Sequence, residues 1–229
     1  MKNNYNIEKI IDALYKKGST NFLNQKDLNL IKGKLNKNEY KIYNLYKDSN
    51  KVILYKKNIP SIKLLKIVSK AELKHQDILG TIFSLGVKED TFGDIIKYQG
   101  SFYIFTLPHL AEYFIYNLNE IKGNYITLTE IELKISENFI QEYIEKEYIV
   151  SSLRLDNIIS TIIGESRSVT LERFKNKEII LNYNSEIKPN KILKLNDIFS
   201  IRKIGKFKFK EIKKTTKKGG FVIKILKYK

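Results

Sequence analysis

The stretch that decides the fold is Leu153–Ser168, which reads LRLDNIISTIIGESRS. Its apolar residues recur at helical spacing until Gly164-Glu165 interrupts them. Ser166 suits the N-cap of a second helix and leaves Arg167 in the first turn of that helix. Free backbone N–H groups and a cationic side chain can share one phosphate at such a position. The stretch therefore predicts two short helices, the second with an anion-binding end.

The residues after this helix pair predict a small sheet. A turn through Lys188-Pro189-Asn190 separates the first two strands, and a basic loop, KKTTKKGG at Lys213–Gly220, precedes the last. The predicted strands are Glu178–Asn182, Ile198–Phe209 and Phe221–Leu226.

The middle of the chain predicts a ferredoxin-like domain. Its elements follow the order β-α-β-β-α-β, which many RNA-binding sheets share with domains that bind no RNA. Phe102, Tyr103 and Phe105 match the aromatic pattern of RNA-recognition strands poorly, so we expect them to pack. The predicted elements are a strand with Ile62, Leu64 and Ile67, a helix at His75–Leu85, strands at Phe92–Tyr98 and Ser101–Thr106, a helix at Leu110–Leu118 and a strand at Tyr125–Leu133.

The predicted fold class is α+β, in three small units. Residues 1–60 predict two helices and a hairpin, residues 61–137 the ferredoxin-like domain, and residues 150–229 the helix pair with its sheet. Phe139–Val150 is expected to be a polar connection that ends in a strand-like apolar run.

Composition limits the classes of function. The 229 residues have a net charge of +17 and no cysteine, which excludes disulfides, thiolate zinc sites and a cysteine nucleophile. Residues 150–229 hold 20 Lys/Arg against 7 Asp/Glu, a net charge of +13, whereas residues 1–149 reach only +4. This uneven excess predicts a polyanionic partner for the C-terminal part. The polar start and the lack of a long apolar run predict a soluble, cytoplasmic protein.

Catalytic signals are weak. His75 and His109 lack metal-ligand spacing and neighbouring paired carboxylates, and no phosphate-binding glycine motif occurs. The sequence thus predicts no enzyme, no cofactor, no metal and no small-molecule substrate. One alternative is an RNA pseudouridine synthase, because Arg154-Leu155-Asp156 superficially fits the setting of its catalytic aspartate. Another is membrane binding through the lysine-rich end, although alternating strands argue against a basic amphipathic helix.

Several residues in the C-terminal part resemble the αL motif, the small RNA-binding domain named after the fourth small-subunit ribosomal protein. The resemblance implies a basic face for structured RNA, with Arg154 and Arg167 as phosphate contacts and Asp156 as a positioning partner. The family's glycines are replaced by Lys177 and by the asparagine of Asn196-Asp197, which we interpret as tolerated changes. The residues that carry the resemblance are Arg154-Leu155-Asp156, Ser166-Arg167, Asn182 and Asp197.

A second resemblance, over about residues 60–229, is to the bacterial YlmH family. It implies a three-part RNA-binding protein that associates with stalled large ribosomal subunits carrying peptidyl-tRNA, in ribosome-associated quality control. A link to cell division also attaches to that family and stays an alternative, as does an accessory role in rRNA modification. The residues that carry the resemblance are His75–Gly80, Leu85-Gly86, Gly93-Asp94-Ile95, Ser200–Phe207 and a late Lys-Lys-Gly.

The expected partners are ribosomal RNA, with tRNA as a further candidate, and the large ribosomal subunit, without a membrane. RNA binding by residues 150–229 requires the cations of this unit to lie on one side of it. Asp156, Asn182 and Asp197 are expected to support the RNA-binding face. The residues predicted to contact RNA are Arg154, Ser166, Arg167, Ser168, Arg173, Lys175, Lys177, Arg202, Lys203, Lys206, Lys208, Lys213, Lys214, Lys217 and Lys218.

Overall fold

The computed structural model describes the backbone of residues 2–229 and the side chains from residue 7 onward. The fold is mixed α+β and divides into two units, residues 1–141 and residues 142–229. The first unit takes in both predicted ranges 1–60 and 61–137, and a domain boundary between them stays a prediction. Within the described range, no helix combines the length and the apolar character that a membrane span requires.

The first unit begins with the predicted helices and hairpin. The Asn24 side chain caps the second helix by accepting a hydrogen bond from the backbone N–H of Asp27 at 2.9 Å. A short strand joins the hairpin, which gives a three-stranded sheet in the order β1-β3-β2. The elements are α1 at Lys2–Lys17, β1 at Leu23–Asn24, α2 at Gln25–Lys32, a 3-10 turn at Lys37–Glu39, β2 at Lys41–Asn44 and β3 at Lys51–Tyr55.

The β-α-β-β-α-β order predicted for the next segment is present. Its strands form an antiparallel sheet in the order β5-β6-β4-β8-β7, and β7 is a short addition that the sequence reading lacks. The elements are β4 at Lys63–Ser69, α3 at His75–Ser84, β5 at Phe92–Tyr98, β6 at Ser101–Thr106, α4 at Pro108–Asn117, β7 at Glu120–Ile121 and β8 at Asn124–Ile131, with 3-10 turns at Glu89–Thr91 and Leu133–Asn138.

Both faces of this five-stranded sheet carry a core. On one face, Leu65 and Ile104 pack with residues of α3 and α4. On the other face, Leu64 and Phe105 pack with residues of the three-stranded sheet region and with Phe139. The N-terminal segment therefore covers part of the sheet face that the helices leave open.

The second unit has two helices on a six-stranded antiparallel sheet in the order β11-β10-β12-β13-β14-β9. Leu155, Ile158 and Ile159 of the first helix are fully buried against the sheet. The elements are β9 at Tyr143–Val150, α5 at Leu155–Ile163, α6 at Arg167–Lys175, β10 at Ile179–Leu181, β11 at Asn184–Ser185, β12 at Ile198–Ile201, β13 at Gly205–Thr215 and β14 at Phe221–Tyr228.

Two predictions about this unit are wrong. The expected polar connection at Phe139–Val150 is largely strand β9, which pairs along its whole length with β14, so the unit starts at residue 142 and not at 150. The expected single strand Ile198–Phe209 is a hairpin, in which β12 and β13 meet around a turn at residues 202–204. Lys203 has φ 65° in that turn, a left-handed conformation that ends strand geometry.

Candidate nucleic-acid interface

The connection between α5 and α6 is short and has the predicted caps. Gly164 ends α5 with φ 75°, a left-handed conformation that glycine adopts without strain. Ser166 caps α6 by accepting a hydrogen bond from the backbone N–H of Val169 at 3.4 Å, as predicted. The tight turn places Arg167, at the start of α6, beside the start of α5.

Asp156 joins the two helix starts. Its carboxylate accepts hydrogen bonds from Arg154 (Nε to Oδ1 3.0 Å, Nη2 to Oδ2 2.8 Å) and from Arg167 (Nε to Oδ2 3.3 Å). It also accepts one from the backbone N–H of Asn157 at 2.9 Å. The Asp156 side chain is 1% exposed, whereas those of Arg154 and Arg167 are 36% and 65% exposed. The buried Asp156 carboxylate thus holds two guanidinium groups at the surface. We call Arg154 and Arg167 the arginine pair.

The contacts of Asp156 determine whether its carboxyl group is ionised. Burial raises the pKa of the Asp156 carboxyl, but the hydrogen bonds and charge of Arg154, the backbone N–H of Asn157 and the charge of Arg167 bring it below its usual value. The side-chain hydrogen bond to Asp156 raises the pKa of Arg154. The Asp156 carboxylate is therefore ionised at neutral pH, and the two arginines outnumber it by one positive charge.

The two helix starts differ in their backbone donors. At α5, the N–H of Leu155 donates to the Lys191 carbonyl at 2.8 Å, and that of Asp156 donates to the Pro189 carbonyl at 2.9 Å. At α6, the hydroxyls of Ser166 and Ser168 lie 2.9 Å apart beside Arg167. The sequence reading missed that the loop through Pro189 occupies the α5 start, and only the turn-forming residues there hinted at it. The helix end suited to an anion is therefore that of α6.

Arg173, predicted to contact RNA, lies inside an ion-pair network. Its guanidinium donates to Glu165 at 2.6 and 2.9 Å and to Glu178 at 2.8 Å, and the side chain is 22% exposed. The hydrogen bonds to Glu165 and then Glu178 raise the pKa of Arg173. These contacts tie α6 to the residues before and after it. Arg173 therefore has a structural function here, and we leave it out of the proposed interface.

The strand lysines do not lie on the helix side of the sheet. Phe207 and Phe209 on β13 pack with the helices, so the alternating Lys206 and Lys208 point to the opposite face. The Lys206 ammonium lies over the rings of Tyr183 and Tyr228, 5.1 and 4.5 Å from their centroids. The expectation of one basic side is therefore wrong for Lys206 and Lys208.

Five further predicted contacts lie on α6, on β13 and in the turn that follows β13. Lys175 pairs with Glu172 at 2.6 Å on the surface of α6. The predicted basic loop begins as strand, because β13 continues through Lys213 and Lys214 to Thr215, and Lys213 pairs with Glu147. Only Lys217 and Lys218 lie in the turn, which Thr216 closes with hydrogen bonds to Gly219 and Gly220.

Asn182 and Asp197 link two turns, consistent with the supporting function predicted for them. The Asn182 amide donates to Asp197 Oδ1 at 2.8 Å, and its Oδ1 accepts from the backbone N–H of Ile198 at 3.0 Å. Asp197 Oδ2 accepts from the N–H of Lys194 at 2.8 Å. Asn182 and Asn196 have φ values of 47° and 69°, which asparagine tolerates.

The aromatic residues of strand β6 are part of the core. Phe102, Tyr103 and Phe105 are 8%, 5% and 0% exposed, which confirms that they pack. Tyr103 and Phe105 lie 4.9 and 6.0 Å from the Phe139 ring. Bases therefore cannot stack on these three rings.

Comparisons with known proteins add to this geometry. The family model described as "Putative RNA-binding domain in YlmH" matches residues 61–135. The ribosome-associated protein quality control protein P2 of Bacillus subtilis (strain 168) is 26% identical over 144 residues, or 63% of this chain and 56% of that protein. The chain thus matches little more than half the length of this relative. The solved structure of cell division protein ylmH from Streptococcus pneumoniae has a TM-score of 0.48 and 18% identity, over 58% of this chain and 91% of that one.

Proposed function

We propose that the C-terminal unit of this chain docks on ribosomal RNA. Residues 61–135, in the first unit, match the family model of an RNA-binding domain in YlmH, which supports RNA as the partner of the chain. The observation that carries the proposal is the arginine pair, two surface guanidinium groups held by the buried Asp156 carboxylate. Guanidinium groups suit phosphate because they donate two parallel hydrogen bonds.

The charge of this unit supports RNA as the partner. Residues 150–229 have a net charge of +13, to which Lys206 and Lys208 contribute on the face opposite to the helices. Phosphate neutralisation dominates the affinity of basic surfaces for nucleic acid. Folded RNA is recognised largely through its shape, phosphates and 2′-hydroxyls. We therefore expect binding to structured RNA with little sequence preference.

The biological setting is proposed from the relative's name. The Bacillus subtilis protein is called a ribosome-associated quality control protein. We propose the same setting for this chain, as a cytoplasmic factor on stalled large ribosomal subunits that carry peptidyl-tRNA. tRNA would then lie within reach of the same complex.

We infer that the chain acts by binding and not by catalysis. In the pseudouridine synthase alternative, Asp156 would have to reach the substrate. Its carboxylate is instead 1% exposed and already accepts hydrogen bonds from Arg154, Arg167 and Asn157. This geometry favours a positioning residue over a nucleophile.

A salt titration with purified large ribosomal subunits tests the proposal. If about six phosphates are neutralised, log K should fall with log salt with a slope of magnitude roughly 4 to 5. Affinity that hardly changes with salt would contradict phosphate docking.

Arg167→Ala tests the site itself. We expect it to weaken binding by about 1–3 kcal/mol, because a charge-assisted contact is lost. Arg167→Lys keeps the charge and is the matched control, and it should restore binding only in part because lysine cannot bond in two parallel directions. Equal binding by wild type and Arg167→Ala, with both folded by circular dichroism, would exclude the arginine pair as the contact.

A further inference from the structure

A second group of cations lies at the other end of α6. Lys177 follows the helix, and Arg202 and Lys203 form the turn between β12 and β13. All three side chains are exposed, and no ion pair or side-chain hydrogen bond involves them in the described part of the chain. We call these three residues the cationic corner.

The backbone brings the two turns of the corner together. Ile179 pairs with Ile201, and the N–H of Arg202 donates to the Glu178 carbonyl at 3.0 Å. The Glu178 carboxylate is engaged by Arg173 at 2.8 Å. Arg173 also pairs with Glu165, so these three groups together carry one net negative charge, and the three cations of the corner exceed it.

Two of the three cations occupy positions that do not favour lysine. Lys177 and Lys203 have φ values of 55° and 65°, in the left-handed region where glycine is unstrained and a long side chain is not. Glycine would serve the backbone better at both turns. A glycine substitution at these two positions therefore removes a charge without straining the backbone.

The spacing relates the corner to the arginine pair. Helix α6 has nine residues, which corresponds to a length of about 13 Å. Arg167 lies at its start, and Lys177 lies two residues after its end. The helix thus holds two groups of cations at a fixed separation, as a rigid bridge between two points of a folded polyanion.

We propose that the cationic corner is a second phosphate-contact site, so that structured RNA is held at both ends of α6. This rests on the proposed function, since the arginine pair supplies the other contact. A folded RNA suits the arrangement because its phosphates also keep fixed separations. The net charge of +13 over residues 150–229 is complementary to it.

The test is the double variant K177G/K203G in the full-length chain. Glycine removes two charges while it relieves the left-handed backbone, so a folding defect is not expected. The control is K122G, because Lys122 is also an exposed lysine with positive φ, 50°, but it lies in the first unit and pairs with Asp77 at 3.4 Å. Binding of an unmodified tRNA transcript and of purified large ribosomal subunits is measured against salt, together with the melting temperature.

We expect K177G/K203G to reduce the magnitude of the salt slope by about 1.4 to 1.8, which is two phosphate contacts, with an unchanged or higher melting temperature. K122G should keep the wild-type slope. A wild-type slope in the double variant, while Arg167→Ala still weakens binding, would overturn the second site and leave the proposed function standing. Absence of salt-dependent RNA binding by the wild type would overturn both. Charge-dependent binding of phosphatidylserine vesicles, with no change in RNA binding, would assign the corner to a membrane surface and would also overturn it.

Discussion

One part of this chain matches an RNA-binding family model and another is proposed here to bind RNA, and the two differ most in charge. The segment that matches the RNA-binding family model, residues 61–135, holds 8 lysines, no arginine and 9 acidic residues, a net charge of −1. Residues 150–229 have a net charge of +13. Their sheets differ as well: the first has a core on both faces, and the second bears its helices on one face.

This difference indicates which part of the chain should supply the affinity for RNA. Attraction to phosphates depends on cations and accounts for most of non-specific binding. The first segment has no excess of cations, and its central aromatics are buried. We expect the C-terminal unit to provide the strength of binding, while the first segment contributes shape or hydrogen-bond contacts that depend little on salt.

The largest expected effect lies in the first segment and concerns stability. Phe105 is fully buried and lies 5.9 Å from the Tyr46 ring. Phe105→Ala should destabilise the protein by about 3–5 kcal/mol because a buried ring is replaced by a cavity. Urea denaturation measures this loss.

The control for this variant is Tyr125→Ala, since Tyr125 is 84% exposed and its removal should change stability by less than about 0.5 kcal/mol. The salt slope of RNA binding should stay that of the wild type in folded Phe105→Ala. If the variant kept its stability but lost RNA binding, the contrast between a core in one part and an interface in the other would be broken.

The next effect lies in the C-terminal unit. Asp156→Asn leaves Arg154 and Arg167 without their shared anion and should destabilise the unit by about 1–3 kcal/mol. The pKa of Asp156 is lowered in the folded state, so its contribution is present above its unfolded pKa and is lost as pH falls below about 4. The wild type should therefore lose stability in acid more steeply than the variant.

Denaturation of both proteins from neutral pH to about pH 3 measures this difference. RNA binding should also fall in Asp156→Asn, because the arginine pair is no longer held in place. Identical acid profiles would mean that the carboxylate does not organise the pair. Phe105→Ala is the useful reference, since its loss of stability should have no such pH dependence.

The sequence was sufficient to predict helices α5 and α6 and the residues that cap them. Ser166 and Gly164 cap their helices as side-chain and backbone preferences predict. The positions at Lys177 and Asn196, where the αL resemblance expects glycine, do have positive φ. These features depend on neighbouring residues alone, so they can be read from a sequence.

The hairpin of β12 and β13 could not be read in the same way. Phe199 and Ile201 face the core before the turn, and Phe207 and Phe209 face it afterwards. These positions are all odd-numbered, so the alternation continues in phase through the turn and mimics one long strand. Only Gly205 marked the break.

Partners distant in sequence were also hidden. Glu165 and Glu178 lie eight and five residues from Arg173, which are not the spacings that place side chains together on a helix. Nothing local therefore showed that this arginine was occupied. A sum of charges counts Arg173 as an available cation, whereas in the structure its guanidinium pairs with Glu165 and Glu178.

The smallest expected effect concerns another cation of the C-terminal unit that is held in an ion pair. Lys213 pairs with Glu147, and both side chains are partly exposed, 38% and 49%. The hydrogen bond to Glu147 raises the pKa of Lys213. Because such surface pairs contribute only about 0–1 kcal/mol, Lys213→Gln should hardly change stability. It should also change the salt slope less than Lys217→Gln, since Lys217 lies exposed in the adjacent turn. Each variant removes one charge, so RNA binding against salt compares them directly. A larger slope change in Lys213→Gln would mean that RNA displaces Glu147, and the net charge of the unit would then be a better guide to binding than its ion pairs.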